Sequence, residues 1–300
     1  MKTRQVSPEM AGENTGRLEI SPVAGRKRAW KRFRRNNLAV GGLAAIAVFA
    51  LAATLAPVVA PADPNEIDLE AVLEGPSGKH LLGSDDLGRD VLSRILYGGR
   101  TSLALGLVVV TTAATTGTVV GAVAGFFGAR TDAIITALTD IAIAFPAFLL
   151  ALLVLSILGP GLFQAMIAVG VAYVPRFIRL ARASALGLRE LEFVLSARAV
   201  GAGDWRILRA HVLPNVLGPV VVQATLLSGS AILIAASLGF LGLGAQPPVA
   251  EWGSMISDAR QYLRQAPHAS AFPGLAIVLV VLAMNLVGDA LRDTLDVRSG

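Results

Sequence analysis

Six stretches of about twenty or more residues run almost without charge, at roughly 38–60, 102–128, 133–158, 161–180, 216–244 and 272–291. A helix advances about 1.5 Å per residue, so about 20 apolar residues cross the roughly 30 Å hydrocarbon core of a bilayer. Inside that core each backbone N–H and C=O needs an internal partner, which a helix supplies. The chain is therefore read as an all-α integral membrane protein with six transmembrane helices. Composition agrees, because 54% of its 300 residues are hydrophobic and only 16% are charged, against about 25% charged in a soluble domain.

The first 37 residues are polar and end in a basic run from Gly25 to Asn37. Such a flank reads as cytoplasmic. Val58-Val-Ala60 resembles a signal-peptidase site. The apolar stretch before it is longer than the usual 7–15 residues and begins late, so 38–60 is read as an uncleaved anchor helix. With the amino terminus inside, inner segments hold 20 of the 26 Lys and Arg residues and outer segments hold six. The outer segment 61–100 also carries eight acids between Asp63 and Asp90. Six crossings return the carboxyl terminus to the cytoplasm, giving a multi-pass cell-membrane protein that obeys the positive-inside rule.

Several functions are disfavoured by what the chain lacks. It has no cysteine, and His80, His211 and His268 stand far apart, so no metal-ligand spacing is present. The net charge of +5 comes from basic residues beside apolar segments and not from a basic face interleaved with aromatics, which argues against nucleic acid. A P-loop needs Gly, four residues, then Gly-Lys-Ser/Thr. Only Lys79 follows a glycine, and His80 takes the hydroxyl position. Asp85, Asp86 and Asp90 lack the alternation of an EF-hand. The reading there is an interfacial elbow helix from Ser84 to Tyr97, with Leu87, Val91, Leu92, Ile95 and Leu96 on one stripe.

The cytoplasmic segment 190–214 divides into two short helices. The first, from about Glu190 to Val200, stops at Gly201-Ala-Gly203, because glycine takes the left-handed conformation that ends helices. Asp204 offers an N-cap oxygen to the second, which places Trp205, Leu208 and Val212 on one face and ends at Pro214. Small residues at Ser196, Ala197, Ala199, Gly201, Ala202 and Gly203 let another backbone approach closely, and the arginines can pair with its carboxylates. A docking surface is one reading; an amphipathic loop on anionic lipid is the other.

Within the spans, Gly117, Gly121 and Gly125 recur every fourth residue and make a smooth packing stripe. Asp140, Gln223, Ser228, Ser230 and Asn285, with Thr225, Ser237 and Asp289, are candidates for an aqueous path, since polar groups in a bilayer are costly to keep. Asp140 and Asp289 lie near the inner face, where pairing with an arginine is the competing reading. Phe145-Pro146 and Pro175 are expected to bend their helices.

Ala197-Arg198-Ala-Val-Gly201, then nine residues, then His211-Val-Leu-Pro214 resembles the coupling motif of ATP-binding-cassette (ABC) importer permeases. Leu82 to Arg94, Ser237 to Pro248 leading into Glu251-Trp-Gly253, and Phe272 to Ile277 with Asn285 to Asp289 and Leu291-Arg-Asp293 resemble the dipeptide/oligopeptide/nickel subfamily, in particular its second, C-type subunit. The resemblance covers residues 80 to 296. It implies a type I importer core of five helices within 101–296, with the first helix an accessory anchor. It implies that Leu195, Ser196, Ala197, Arg198, Gly201, Ala202, Gly203, Asp204, Trp205 and Pro214 couple to an ATPase. The motif's glutamate falls at Leu195 and its first alanine at Ser196, and Glu192 is the acid one turn earlier. The implied partners are a different second permease subunit, two cytoplasmic ABC ATPase subunits and an extracytoplasmic solute-binding protein. The chain itself would be no enzyme and carry no cofactor. Cargo would be a dipeptide, oligopeptide, nickel chelate or glutathione. The alternative, an ion-coupled secondary transporter, calls for inverted repeats and midspan charges, and neither is evident.

Overall fold

A computed structural model describes residues 34–296. Most of the basic segment 1–37, and residues 297–300, lie outside the described residues. Among the described residues every regular element is helical, with one isolated bridge between Ser84 and Asp90.

Helix α1, Asn37–Thr54, starts where the Asn36 side chain accepts from the Leu38 and Ala39 amides, an N-cap that satisfies two of the four orphan donors. One further turn, Ala56–Val59, follows. Helix α1 leans on α9, Pro267–Asp296, at Gly42, where a Cβ would meet the Ala283 carbonyl at 2.9 Å. The face that carries Leu38, Val48 and Leu51 is exposed, as suits a helix at the lipid-facing rim.

Helix α2, Val91–Phe127, is the axis of the bundle. Its 37 residues span about 55 Å, longer than the roughly 30 Å hydrocarbon core. Helices α1, α5 (Leu162–Leu188), α7 (Asp204–Phe240), α8 (Trp252–Ala259) and α9 all pack against it. The predicted glycine stripe sets the closest of these contacts. A Cβ at Gly117, Gly121 or Gly125 would come within 3.0 Å of the Val174, Ile178 or Arg182 region of α5. Backbone against backbone is the packing that small residues permit in a membrane. The core joins Leu105, Val109 and Ala113 of α2 to Val169, Tyr173 and Phe177 of α5 and to Val216, Ala231 and Leu238 of α7.

The expected span 133–158 is two helices, α3 (Ala129–Ala144) and α4 (Ala147–Leu158), bent by 96°. Pro146 bars Phe145 from the helical region, and Phe145 takes ψ 135° instead. Among the described residues five helices are thus long and apolar enough to cross a membrane, and a sixth crossing exists where the bent pair counts as one. By contrast, α5 runs unbroken through Pro175. Outward leucines and isoleucines such as Leu107, Leu149, Leu153 and Ile157 are exposed, the apolar surface that lipid covers.

The elbow helix expected over 84–97 is not a separate element. Residues 61–90 are irregular, and helix begins only at Val91, where the Asp90 carboxylate accepts from the Ser93 amide at 2.7 Å. Gly83 and Gly88, with φ of 80° and 74°, break any helix before that point. From Val91 onward the residues of the expected stripe belong to the first turns of α2.

Candidate functional site

The segment 190–214 is built on a short helix, α6, Glu192–Ala199. Its end is a Schellman cap: Ala202 N–H donates to the Ala197 carbonyl and Gly201 N–H to the Arg198 carbonyl, at 3.1 and 3.0 Å, with Gly201 at φ 85°. The stop expected at Gly201 is therefore where the chain turns. Two expectations for the next helix need correction. Asp204 is its first residue and not its cap; Gly203 precedes it in extended conformation, and the Asp204 carboxylate accepts from Arg198 Nη2 at 3.1 Å. Pro214 does not end the helix either. A π-turn over Leu208–Val212 widens the spiral just before it, and the helix continues to Phe240. The wider turn makes room for the proline ring, which would otherwise meet the carbonyl four residues back. Asn215 Nδ2 donates to the His211 carbonyl at 2.6 Å, which gives that carbonyl a partner.

Val194, Ile207, Leu208 and Val212 are buried in the bundle core, so four apolar anchors hold this elbow in place. The rest faces away. Val200 is 85% and Trp205 61% exposed, and Leu195, Ser196, Arg198, Ala199, Gly201, Gly203, Asp204 and Pro214 are also exposed, with Ala197 and Ala202 half-buried. Most of the side chains in the coupling motif are therefore solvent-exposed. Exposed Leu195, Phe193 and Glu192 lie beside it.

The candidate path residues divide into two groups. Asn285 stands beside Gly229, where a Cβ would lie 3.3 Å from its Oδ1, and Gly229 sits between Ser228 and Ser230. Gln223 is on the same helix, α7, which packs on α9. Asp140 is elsewhere, on α3, and its carboxylate pairs with Arg179 of α5 at 2.7 Å with both side chains 57% exposed. The hydroxyls of Thr225, Ser228 and Ser237 donate to the carbonyls of Val221, Ala224 and Leu233 on their own helix.

Sequence reasoning missed the polar cluster around Glu251 and Asp85. Glu251 is buried at 2% exposure, and its carboxylate accepts from the Gly253 and Ser254 amides and from the Ser102 hydroxyl, at 2.9, 2.8 and 3.2 Å. It caps α8. Burial pushes its carboxyl above the ordinary carboxylate range, against the opposing pull of those donors. Trp252 Nε1 donates to the Ile95 carbonyl at 3.0 Å, and its ring fills the space left by Gly98 and Gly99. Arg89 and Arg94 both reach Asp85, at 2.7 and 3.4 Å. Burial, then the neighbouring Asp85, raises Asp86; burial, then Asp86, raises Asp258. The paired glycines opposite a tryptophan were the signal that the sequence did offer.

Among the described residues no group of three or more metal-ligating side chains comes together. Residues 117–299 match the family of binding-protein-dependent transport system inner membrane components. The chain belongs to that family. Residues 26–76 match the N-terminal transmembrane domain of oligopeptide transport permease C. The chain is 46% identical over 299 residues to a dipeptide transport system permease protein of Alkalihalophilus pseudofirmus, covering 99% of this chain and 98% of that protein. It is 45% identical to a di/tripeptide transport system permease protein of Pseudomonas aeruginosa (90% and 91%) and 46% identical to a glutathione transport system permease protein of Pectobacterium atrosepticum (89% of each). The protein is thus a multi-pass inner-membrane permease subunit of a type I ABC importer, and it works with ATPase and substrate-binding partners. ATP hydrolysis lies in the partner subunits, and the ion-coupled alternative is not supported.

Proposed function

We propose that this subunit passes short peptides across the membrane and that residues 190–214 seat in a groove of a cytoplasmic ATPase. The observation that carries the reading is the exposed strip of Leu195, Val200 and Trp205 on an elbow anchored by four buried apolar side chains. An apolar strip on a rigid, helically capped projection is what a protein partner can grip. Both termini are cytoplasmic in this reading, which agrees with the 20-to-six division of basic residues. A related but different permease faces this one, and Gln223, Ser228, Ser230 and Asn285 contribute to a path between them, with Asp140 at its inner rim. Dipeptide, di/tripeptide and glutathione permeases among the relatives support peptide cargo.

The cysteine-free sequence makes topology simple to test. A single cysteine at Val200 should react with an impermeant maleimide only from the cytoplasmic side; labelling from outside would exclude any grip by an ATPase. Gly201→Pro provides the second arm, since proline cannot adopt φ 85°. That variant should insert normally and lose co-purifying ATPase.

A further inference from the structure

We propose that the inner end of α2, at Phe126 and Phe127, is the receiver through which movement of the coupling loop enters the transmembrane bundle. The proposal rests on the reading that residues 190–214 bind the ATPase.

Side chains from both halves of the elbow reach these two rings. Trp205, on α7, lies 5.1 Å from Phe127 between ring centroids, tilted by 57°. Arg198, on α6, stands 5.9 Å over the Phe126 ring and pairs with Asp204 at 3.1 Å. The rings themselves meet edge to face at 5.4 Å and 87°, a favoured aromatic geometry. Arg189, at the end of α5, donates to the Gly125 carbonyl at 3.3 Å, one residue before them. Three contacts therefore converge on the last three residues of one helix.

That helix is the one against which α1, α5, α7, α8 and α9 pack. Its glycine stripe begins at the same inner end and keeps it flush with the α5 backbone, so a push delivered there is not absorbed by deformable side chains. The chain turns away directly afterwards, at Gly128 with φ 64°. A cavity of about 410 Å³ between the rings and Leu195, Arg189 and Arg198 leaves room for them to repack as the elbow moves. Phe127 is thus a positioning residue: it relays motion and touches neither cargo nor nucleotide.

The test uses the complete importer in proteoliposomes, reading cargo moved per ATP hydrolysed, with ATPase co-purification as a control. Phe127→Leu keeps bulk and deletes the ring. It should lower cargo per ATP roughly fivefold or more, the low end of ordinary coupling between sites, with ATPase still bound and basal hydrolysis unchanged. Phe127→Tyr should restore the ratio. The ratio does not depend on yield, and Phe127→Met repeats the test if the leucine variant folds poorly. Unchanged cargo per ATP in both overturns the relay and leaves docking intact. Loss of bound ATPase in Phe127→Leu also overturns it, because the ring would then belong to the docking seat. No ATPase on the unsubstituted chain would instead sink the docking reading itself.

Discussion

Residues 190–214, the expected inner segment, hold to the bundle with four apolar anchors and leave nearly everything else exposed. Residues 61–90 and 241–266, the expected outer segments, turn polar groups inward: His80 Nδ1 meets Asp90 at 3.1 Å, Arg89 and Arg94 converge on Asp85, and Glu251 caps α8 from a buried position. Helices satisfy their own backbone, so the 190–214 elbow can leave most of its side chains exposed. The outer segment has little regular structure and so uses side chains to pair buried backbone groups. The Ser84 hydroxyl, for example, donates to the Ala71 carbonyl and accepts from the Glu74 amide. In the proposed reading one face is there to be gripped, while the other holds its own shape.

The largest expected effect lies outside. Trp252→Ala removes a 1% exposed ring and the hydrogen bond to the Ile95 carbonyl, and should cost about 3–5 kcal/mol in thermal or denaturant unfolding of the detergent-solubilised protein. A cost near that of a surface substitution would break the comparison, since the outer segment would then not be self-locked.

Next comes Glu251. Its folded-state pKa is raised by burial. Its contribution to stability is therefore fully present below the ordinary carboxylate range and is lost as pH rises through the raised value. Asp86 and Asp258, also raised, act with the same sign. Glu251→Gln should flatten the fall of Tm with rising pH without abolishing it. Glu251→Ala should cost about 1–3 kcal/mol at low pH, because three donors lose their acceptor. A variant whose Tm falls with pH as steeply as the parent would show that Glu251 does not titrate in that window.

Inside, the pattern should invert. Val200→Ser alters a residue 85% exposed, so stability should stay within about 0.5 kcal/mol. ATPase co-purification should nevertheless fall about tenfold, the equivalent of about 1.4 kcal/mol of binding. Equal loss of stability and of binding would mean that the strip is structural.

The same contrast explains what the sequence disclosed. Spans, glycine stripe and the Gly201 turn were legible because each depends on residue type at fixed spacing. The break at Phe145-Pro146 was visible, though not its 96° size, which depends on how α3 and α4 pack. Pro214 misled because a π-turn, set by Leu208 and Val212 seating in the core, leaves no local signature. Ser84 to Asp90 misled because helical periodicity persisted through a segment that tertiary polar contacts hold irregular. The convergence of Phe127 and Trp205, 78 positions apart, depends on packing alone.

The smallest effect sharpens the comparison most finely. Arg198 and Asp204 join the two halves of the elbow by an ion pair with both side chains about half exposed. Solvent screens such a pair, and holding two long side chains in one geometry offsets part of the attraction. Asp204→Asn should therefore cost about 0.2–1 kcal/mol, and raising salt to 1 M should erase the difference from the parent. The outer pair of Arg89 with Asp85 is shielded from solvent instead, with side chains only 8% and 13% exposed, and should resist the same salt. If Asp204→Asn cost several kcal/mol, or if its effect survived high salt, the elbow would be locked from within as the outer segment is, and its shape would no longer depend on the partner it meets.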